Sequence, residues 1–351
     1  MKKISLKKIL SVVLAGALVS TSLIGCGGSD AENGELNVYN WTEYIPESVI
    51  NDFEDEYGIK VNYSTYSSNE ECLAKVQSSA EGTYDVIVPS DYMITIMKAK
   101  GMLEELNKYN IPNLSNINET YLNQEFDEGN VYSVPFTGGA AVIAVNTDTV
   151  SKKITSYKDL LDSEFKDSLV LLDDQRAVIG MALKALGYSL NEVDDKKLAE
   201  AKAYLEELKP NIKLYDSDSP KSSLITGETK AGLIWNAECA LAMEENDAIE
   251  VVYPEEGMYL FLDNFAIPKG AKNKENAEKF INYILEPEVS KKITEEYPYK
   301  NVNAAAYDSL PDDYKNNPAS NVPDEEMAKG EYVKEVGDAT AKFDKIWSEI
   351  K

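Results

Sequence analysis

The chain has 351 residues and a formal net charge of −26, with 61 acidic against 35 basic side chains and no histidine. Such a field disfavours nucleic acid and anionic surfaces and draws cations in, and without histidine the commonest general base and the Ser-His and Cys-His nucleophile pairs are unavailable. Arg176 is the only arginine, so a phosphate or sulfate site would fall to backbone N–H groups and lysines.

The first 25 residues read as a leader. A basic segment, MKKISLKK, precedes the apolar ILSVVLAGALVSTSLIG, the pattern of a secretory signal over 1–25. The apolar run is shorter than the roughly 20 residues a spanning helix needs. It ends at Leu23-Ile24-Gly25-Cys26, which resembles the bacterial lipobox, in which the cysteine is lipidated and becomes the first mature residue. The segment GGSDAENG then reads as a tether within 26–35. The expected product is extracytoplasmic and lipid-anchored to the cell membrane through Cys26. Lys2, Lys3, Lys7 and Lys8 leave with the leader, so the mature chain is more acidic still. What remains suffices for two lobes at about 100–200 residues per domain.

From residue 36 short β-rich runs alternate with helical patterns. LNVYN (36–40) predicts a strand, and Pro46 opens a helix whose apolar face carries Val49, Ile50, Phe53 and Tyr57, stopped by Gly58. IKVNYSTY (59–66) and YDVIVPS (84–90) predict further strands, each followed by a helix, and this order predicts a mainly parallel sheet covered by helices on both faces. NVYSVPFTGGAAVIAVN (130–146), with Pro135 and Gly138-Gly139, reads as a crossing between lobes. A second alternating set follows: LVLLDD (169–174), a helix from Arg176, a long helix near 194–209, AGLIWN (231–236) and IEVVYP (249–254). LFLDNFAIP (260–268) recrosses, and 273–351 is mostly helical. The expected fold is α/β and two-lobed, with 36–138 and 260–305 as lobe one and 139–259 and 306–351 as lobe two. Cys72 and Cys239 lie in neither a C-x-x-C nor a metal-ligand spacing and read as free thiols.

Ligands of open α/β sheets sit beyond the carboxyl ends of strands. That rule selects Trp41, Thr42 and Tyr44 with Glu43 after the first strand, and Ser90, Asp91 and Tyr92 after the third. It selects Asp173 and Asp174, then Trp235 and Glu238, from the second set, and Asp263 from the recrossing strand. Arg176 is the only base expected among them. Aromatic faces attract an ammonium group at about 0.5–2 kcal/mol per contact, and a charge-assisted hydrogen bond to a carboxylate adds about 1.5–3 kcal/mol. Carboxylates alone would suit a hard metal ion; the rings tip the set toward organic cations. A carboxylate-pair hydrolase using Asp173, Asp174 or Glu238 stays open as an alternative, since paired acids can cleave glycosides without histidine.

The segments YNWTEYIP, GIKVNYSTYSSNE, YDVIVPSDY, GLIWN, FLDNFAIPKGAKN and YPYKNVN resemble the spermidine/putrescine-binding lipoproteins of bacterial polyamine ABC importers. The resemblance runs from about residue 36 to the C-terminus. It implies a type II periplasmic binding fold with the ligand in an interlobe cleft, no catalysis and no cofactor. It implies as partners a polyamine, a permease with its ATPase, and the membrane through the lipid, with no nucleic acid, for a monomeric receptor. Position by position it implies that Trp41 and Tyr44 wall the channel beside Thr42, and that Ser90 and Tyr92 meet a terminal amine. Trp235 would stack on the methylene chain, Asp263 would take an amine, and Asp174 and Tyr297 fall where the family has an acid and a late aromatic. Glu238 matches an acid of the putrescine-preferring branch. Three positions depart from the spermidine binders: Ala177 stands where they have Glu, Phe261 where they have Trp, and Val333 where they have Gln. These departures put the length of the ligand in question.

Overall fold

The computed structural model describes residues 33–351; the leader, Cys26 and the tether as far as residue 32 lie outside the described residues. In chain order the elements begin β1 (Glu35–Trp41), α1 (Glu47–Tyr57), β2 (Lys60–Tyr66), α2 (Asn69–Ser78), β3 (Val86–Ile87) and α3 (Asp91–Ala99). Pro46, with φ −58°, stands immediately before α1 rather than within it, and Gly58 closes that helix in the left-handed conformation at φ 65°. The long β4 (Ser133–Asn146) leads to β5 (Leu169–Leu171), α4 (Gln175–Ala185), α5 (Asp195–Leu208), β6 (Ile212–Tyr215), α6 (Lys221–Ile225), β7 (Ala231–Trp235), α7 (Asn236–Glu245) and β8 (Ile249–Val252). After β9 (Tyr259–Ala266) come α8 (Lys274–Ile284), α9 (Pro287–Glu296) and β10 (Lys300–Asn301). Three short helices, α10 (Ala304–Tyr307), α11 (Asp312–Asn316) and α12 (Asp324–Met327), precede β11 (Glu331–Tyr332) and the terminal α13 (Thr340–Ile350).

The main sheet path runs β2-β1-β3-β9-β4-β7-β5-β6. β1 pairs in parallel with both β2 and β3, and β5 pairs in parallel with both β6 and β7. Each half therefore repeats the same 2-1-3 winding, with a switch point beside its first strand. The halves meet through β4 and β9, an antiparallel pair that runs from Ser133↔Ala266 to Ala141↔Tyr259 with a one-residue register shift between Pro135 and Thr137. β9 reaches β3 through Ile87↔Ala266, and β4 continues into β7 through Ala141↔Trp235. The predicted crossing and recrossing segments are thus neighbours, and they hold the two switch points face to face. The third strand is shorter than 84–90 suggests, because Pro89 supplies no ladder donor.

Apolar packing follows the helix stripes. Phe53 of α1 meets Phe280 of α8 edge to face, with ring centroids 5.1 Å apart, over the buried Leu36 and Val38 of β1. Burying a side chain of that size contributes about 1.5–3 kcal/mol. Cys72 and Cys239 are both buried and unpaired. Among the described residues no helix is long and apolar enough to cross a membrane.

Candidate ligand-binding cleft

The strand ends of both halves converge on one narrow cleft with a free volume of about 30 Å³. Trp41, Thr42, Glu43 and Tyr44 enter it from the β1–α1 turn, Ser90 from the end of β3, Asp174 from the end of β5, and Trp235 and Glu238 from the β7–α7 junction. β9 contributes Tyr259, Phe261 and Asp263, whereas Leu260 and Leu262 line a groove on its other face. This is the period-two alternation of a strand. It needs room behind it: a Cβ on Gly139 would come 2.5 Å from the Phe261 ring and 2.4 Å from Asn236 Oδ1.

Asp263 is 2% exposed. Its Oδ1 accepts from the Ser90 hydroxyl at 2.5 Å, and its Oδ2 accepts from the Tyr44 hydroxyl. Asn69 fixes Ser90 in turn, donating to its Oγ at 2.9 Å and accepting from its N–H at 3.0 Å. Ser90 stands before α3 without capping it through its side chain, so the hydroxyl belongs to Asp263. Burial pushes the Asp263 carboxyl up to about 7 against these hydrogen bonds. Asp174, 1% exposed, caps α4 by accepting from the Ala177 N–H at 2.9 Å. Burial, with Glu70 nearby, takes it to about 7 as well. Neither acid has a cationic side chain within salt-bridge distance among the described residues.

The rings around them form a continuous wall. Trp41 lies 4.6 Å from Tyr66 and 6.2 Å from Tyr44, centroid to centroid, and its indole N–H donates to the Val88 carbonyl at 2.8 Å. Tyr44 meets Tyr299 at 5.0 Å, and Tyr299 meets Phe261 at 6.1 Å. Phe261 meets Trp235 at 5.3 Å. The Trp41 N–H and the Tyr66 hydroxyl both donate to the Val88 carbonyl, which leaves these two rings to present their π-faces beside the carboxylates.

At the other end Glu238, 3% exposed, is paired to a residue the strand-end rule does not select. Lys221 Nζ lies 2.9 Å from both Glu238 oxygens and 2.5 Å from Glu43 Oε2. Burial pushes the Glu238 carboxyl up to about 7, opposed by that ammonium. Burial disfavours charge on Lys221, but the Glu238 and Glu43 carboxylates outweigh it and hold its pKa above the ordinary lysine value. Glu43 adopts φ 52°, a left-handed conformation that costs a non-glycine residue about 1–2 kcal/mol. A second contact closes the cleft mouth, from the Ser67 hydroxyl to Asp218 Oδ1 at 2.8 Å.

Of the positions selected from sequence, the cleft gathers Trp41, Thr42, Tyr44, Ser90, Asp174, Trp235, Glu238, Phe261 and Asp263. It does not gather Asp91 or Tyr92, which turn into the groove shared with Leu260 and Leu262. Tyr92 donates its hydroxyl to Glu70 at 3.0 Å and carries the Arg176 guanidinium over its ring. Arg176 itself donates to Asn191 and to the Lys334 carbonyl, so the base at the cleft is Lys221 instead. Asp173 is bound to Lys351 outside the cleft. Tyr297 lines a small side cavity with Phe136, and Tyr299 takes the place in the wall. The Tyr299 N–H bonds back to the Tyr297 carbonyl at 2.8 Å, a tight turn about Pro298 that separates the two rings. Strand-end logic missed Tyr66, Ser67, Asn69, Ser217, Asp218, Tyr259 and Tyr299 in the lining, and Lys221, which pairs with two of the lining acids. No group of three or more His, Cys, Asp or Glu side chains suited to a metal ion occurs among the described residues.

Two 2-1-3 sheet halves joined by a shared antiparallel pair, with a cleft between their switch points, make up the type II solute-binding fold. The chain belongs to the bacterial extracellular solute-binding proteins, whose family profile matches residues 48–322. A spermidine/putrescine-binding periplasmic protein of Salmonella typhimurium is 39% identical over 347 residues, which cover 99% of each chain. A solved Listeria monocytogenes protein assigned to spermidine/putrescine ABC transport superposes with a TM-score of 0.87 at 33% identity, covering 90% of this chain and 98% of that one. The Tp0655 lipoprotein of Treponema pallidum superposes at 0.81 with 30% identity, covering 90% and 99%.

Proposed function

We propose that this chain is the extracytoplasmic binding component of a polyamine ABC importer. It captures a linear polyammonium ion between its lobes and hands it to a permease driven by an ATPase. The observation that carries this is the combination of two buried carboxylates, Asp263 and Asp174, with a wall of rings and, among the described residues, no ion pair from a lysine or arginine to either acid. An unpaired buried carboxylate is costly, and an organic ammonium relieves that cost while its methylenes pack on Trp41, Trp235 and Phe261. The relatives' binding of spermidine and putrescine supports the same reading. In this reading 36–138 with 260–305 and 139–259 with 306–351 are the closing lobes, as the two cross-cleft contacts suggest. Secretion by the 1–25 leader, lipid anchoring at Cys26 and a monomeric receptor complete it, and the ligand leaves chemically unchanged.

Calorimetric titration with putrescine, spermidine and spermine tests the proposal. Saturable one-to-one binding of at least one of them is expected. No heat from any of the three, with saturation by another class of solute, would overturn it.

A further inference from the structure

The cleft contains carboxylates in two conditions. Asp263 and Asp174 are held by neutral donors, the Ser90 and Tyr44 hydroxyls and the Ala177 N–H. Glu238 is held by an ammonium group of the chain itself. Among the described residues Lys221 is the only base ion-paired to a cleft-lining acid, and it takes two of them, Glu43 from one sheet half and Glu238 from the other. Its side chain is 13% exposed and that of Glu238 is 5%.

What Lys221 does there is what a ligand amine would do. A primary ammonium at the end of a methylene chain spans both Glu238 oxygens at 2.9 Å, beside the Trp235 and Tyr299 rings that line the same cleft. Lys221 begins α6 directly after Pro220, so its stem starts from a fixed backbone. The left-handed Glu43 supplies the third oxygen at a conformational cost that an idle acid would not need. A ligand ammonium could reach Glu238 only by displacing Lys221 Nζ from both of its oxygens.

We propose that Lys221 occupies the amine position at Glu238 from within the chain, so that the cleft takes a linear diamine in preference to a triamine. The statement rests on the polyamine reading and narrows it. A diamine places its two ammonium groups at Asp263 and Asp174; the extra amine of a triamine finds its carboxylate already filled. Glu238 gained while Ala177 replaces an acid is compatible either with a shorter ligand or with a triamine held by a relocated carboxylate. The Lys221 pairing separates them.

Putrescine and spermidine titrated calorimetrically into the unaltered protein give the first test. Putrescine is expected to bind at least tenfold more tightly, and spermidine binding equally or more tightly overturns the inference whatever the variants do. In Lys221→Met the ratio of the two affinities should move at least tenfold toward spermidine. In Lys221→Met/Glu238→Gln, which leaves no unpaired buried charge at that end, the shift should disappear. An unmoved ratio in a Lys221→Met protein that melts cooperatively overturns the inference, as does a shift that persists in the double variant. Heat from neither polyamine in the unaltered protein removes the polyamine reading itself, and this inference with it.

Discussion

The two ends of the cleft answer the same physical problem in opposite ways. At the Asp263 end a buried carboxylate is clamped by a strand, a helix start and a tyrosine, with Asn69 holding the serine behind it. Every partner is neutral, so the end is rigid and short of one positive charge. At the Glu238 end two acids from a helix turn and a strained loop converge on a lysine, and Glu43 stays 36% exposed. That end has its cation and can loosen. The difference teaches that the number of acids in a binding site does not give the number of cations it will accept; the internal partner of each acid must be known first.

Perturbing the rigid end should have the largest effect. Asp263→Asn keeps the shape and the Ser90 contact but removes the charge, and a charge-assisted hydrogen bond is worth about 1.5–3 kcal/mol. Polyamine affinity is expected to fall about ten- to hundredfold by calorimetry, and a change under threefold would place the ammonium elsewhere. Acidification attacks the same end without mutation. Asp263 and Asp174 ionise near 7 in the folded chain, so affinity should fall by up to about tenfold per pH unit per carboxylate as pH drops below about 7. The folding consequence has the opposite sign. The native state binds more protons than the unfolded one between the ordinary carboxylate value of 3.8 and about 7, so without added polyamine the melting temperature should decline as pH rises through that window. A polyamine should therefore raise the melting temperature more at the alkaline side, and thermal scans across the window check it.

Smaller effects test whether the walls are shared equally. Trp235→Ala removes a ring next to Phe261 and about 1 kcal/mol of apolar packing on the methylene chain, for an expected roughly fivefold loss. At the loose end Asp218→Asn weakens the cross-cleft contact with Ser67, with an expected two- to threefold faster dissociation in stopped-flow measurements and little change in association.

The fold was legible because its signals are local. The alternation of strands and helices from 36 to 99 and from 169 to 245, with Gly58 as a stop, is written in period and punctuation. The rule that ligands gather at strand ends then found most of the cleft, since a strand end needs no knowledge of distant partners. It failed at Asp91 and Tyr92 because the first turn of a helix rotates each residue by about 100°. Ser90 can therefore face the cleft while its successors face the other side. Tyr297 came from the family resemblance instead, and there the turn at Pro298 decides which of two tyrosines enters the wall. Lys221 was invisible for a deeper reason. It lies in a five-residue helix too short to show a period, and its partner Glu43 is 178 residues away.

One feature of the rigid end reaches beyond affinity. Because burial pushes Asp263 and Asp174 up to about 7, each carries a proton for part of the time near neutrality, and a cation entering the cleft displaces it. The protein then works as an ion exchanger. Near neutrality the complex differs from the unladen chain by less than the full charge of the cargo, and the proton activity outside the cell becomes a term in the loading equilibrium.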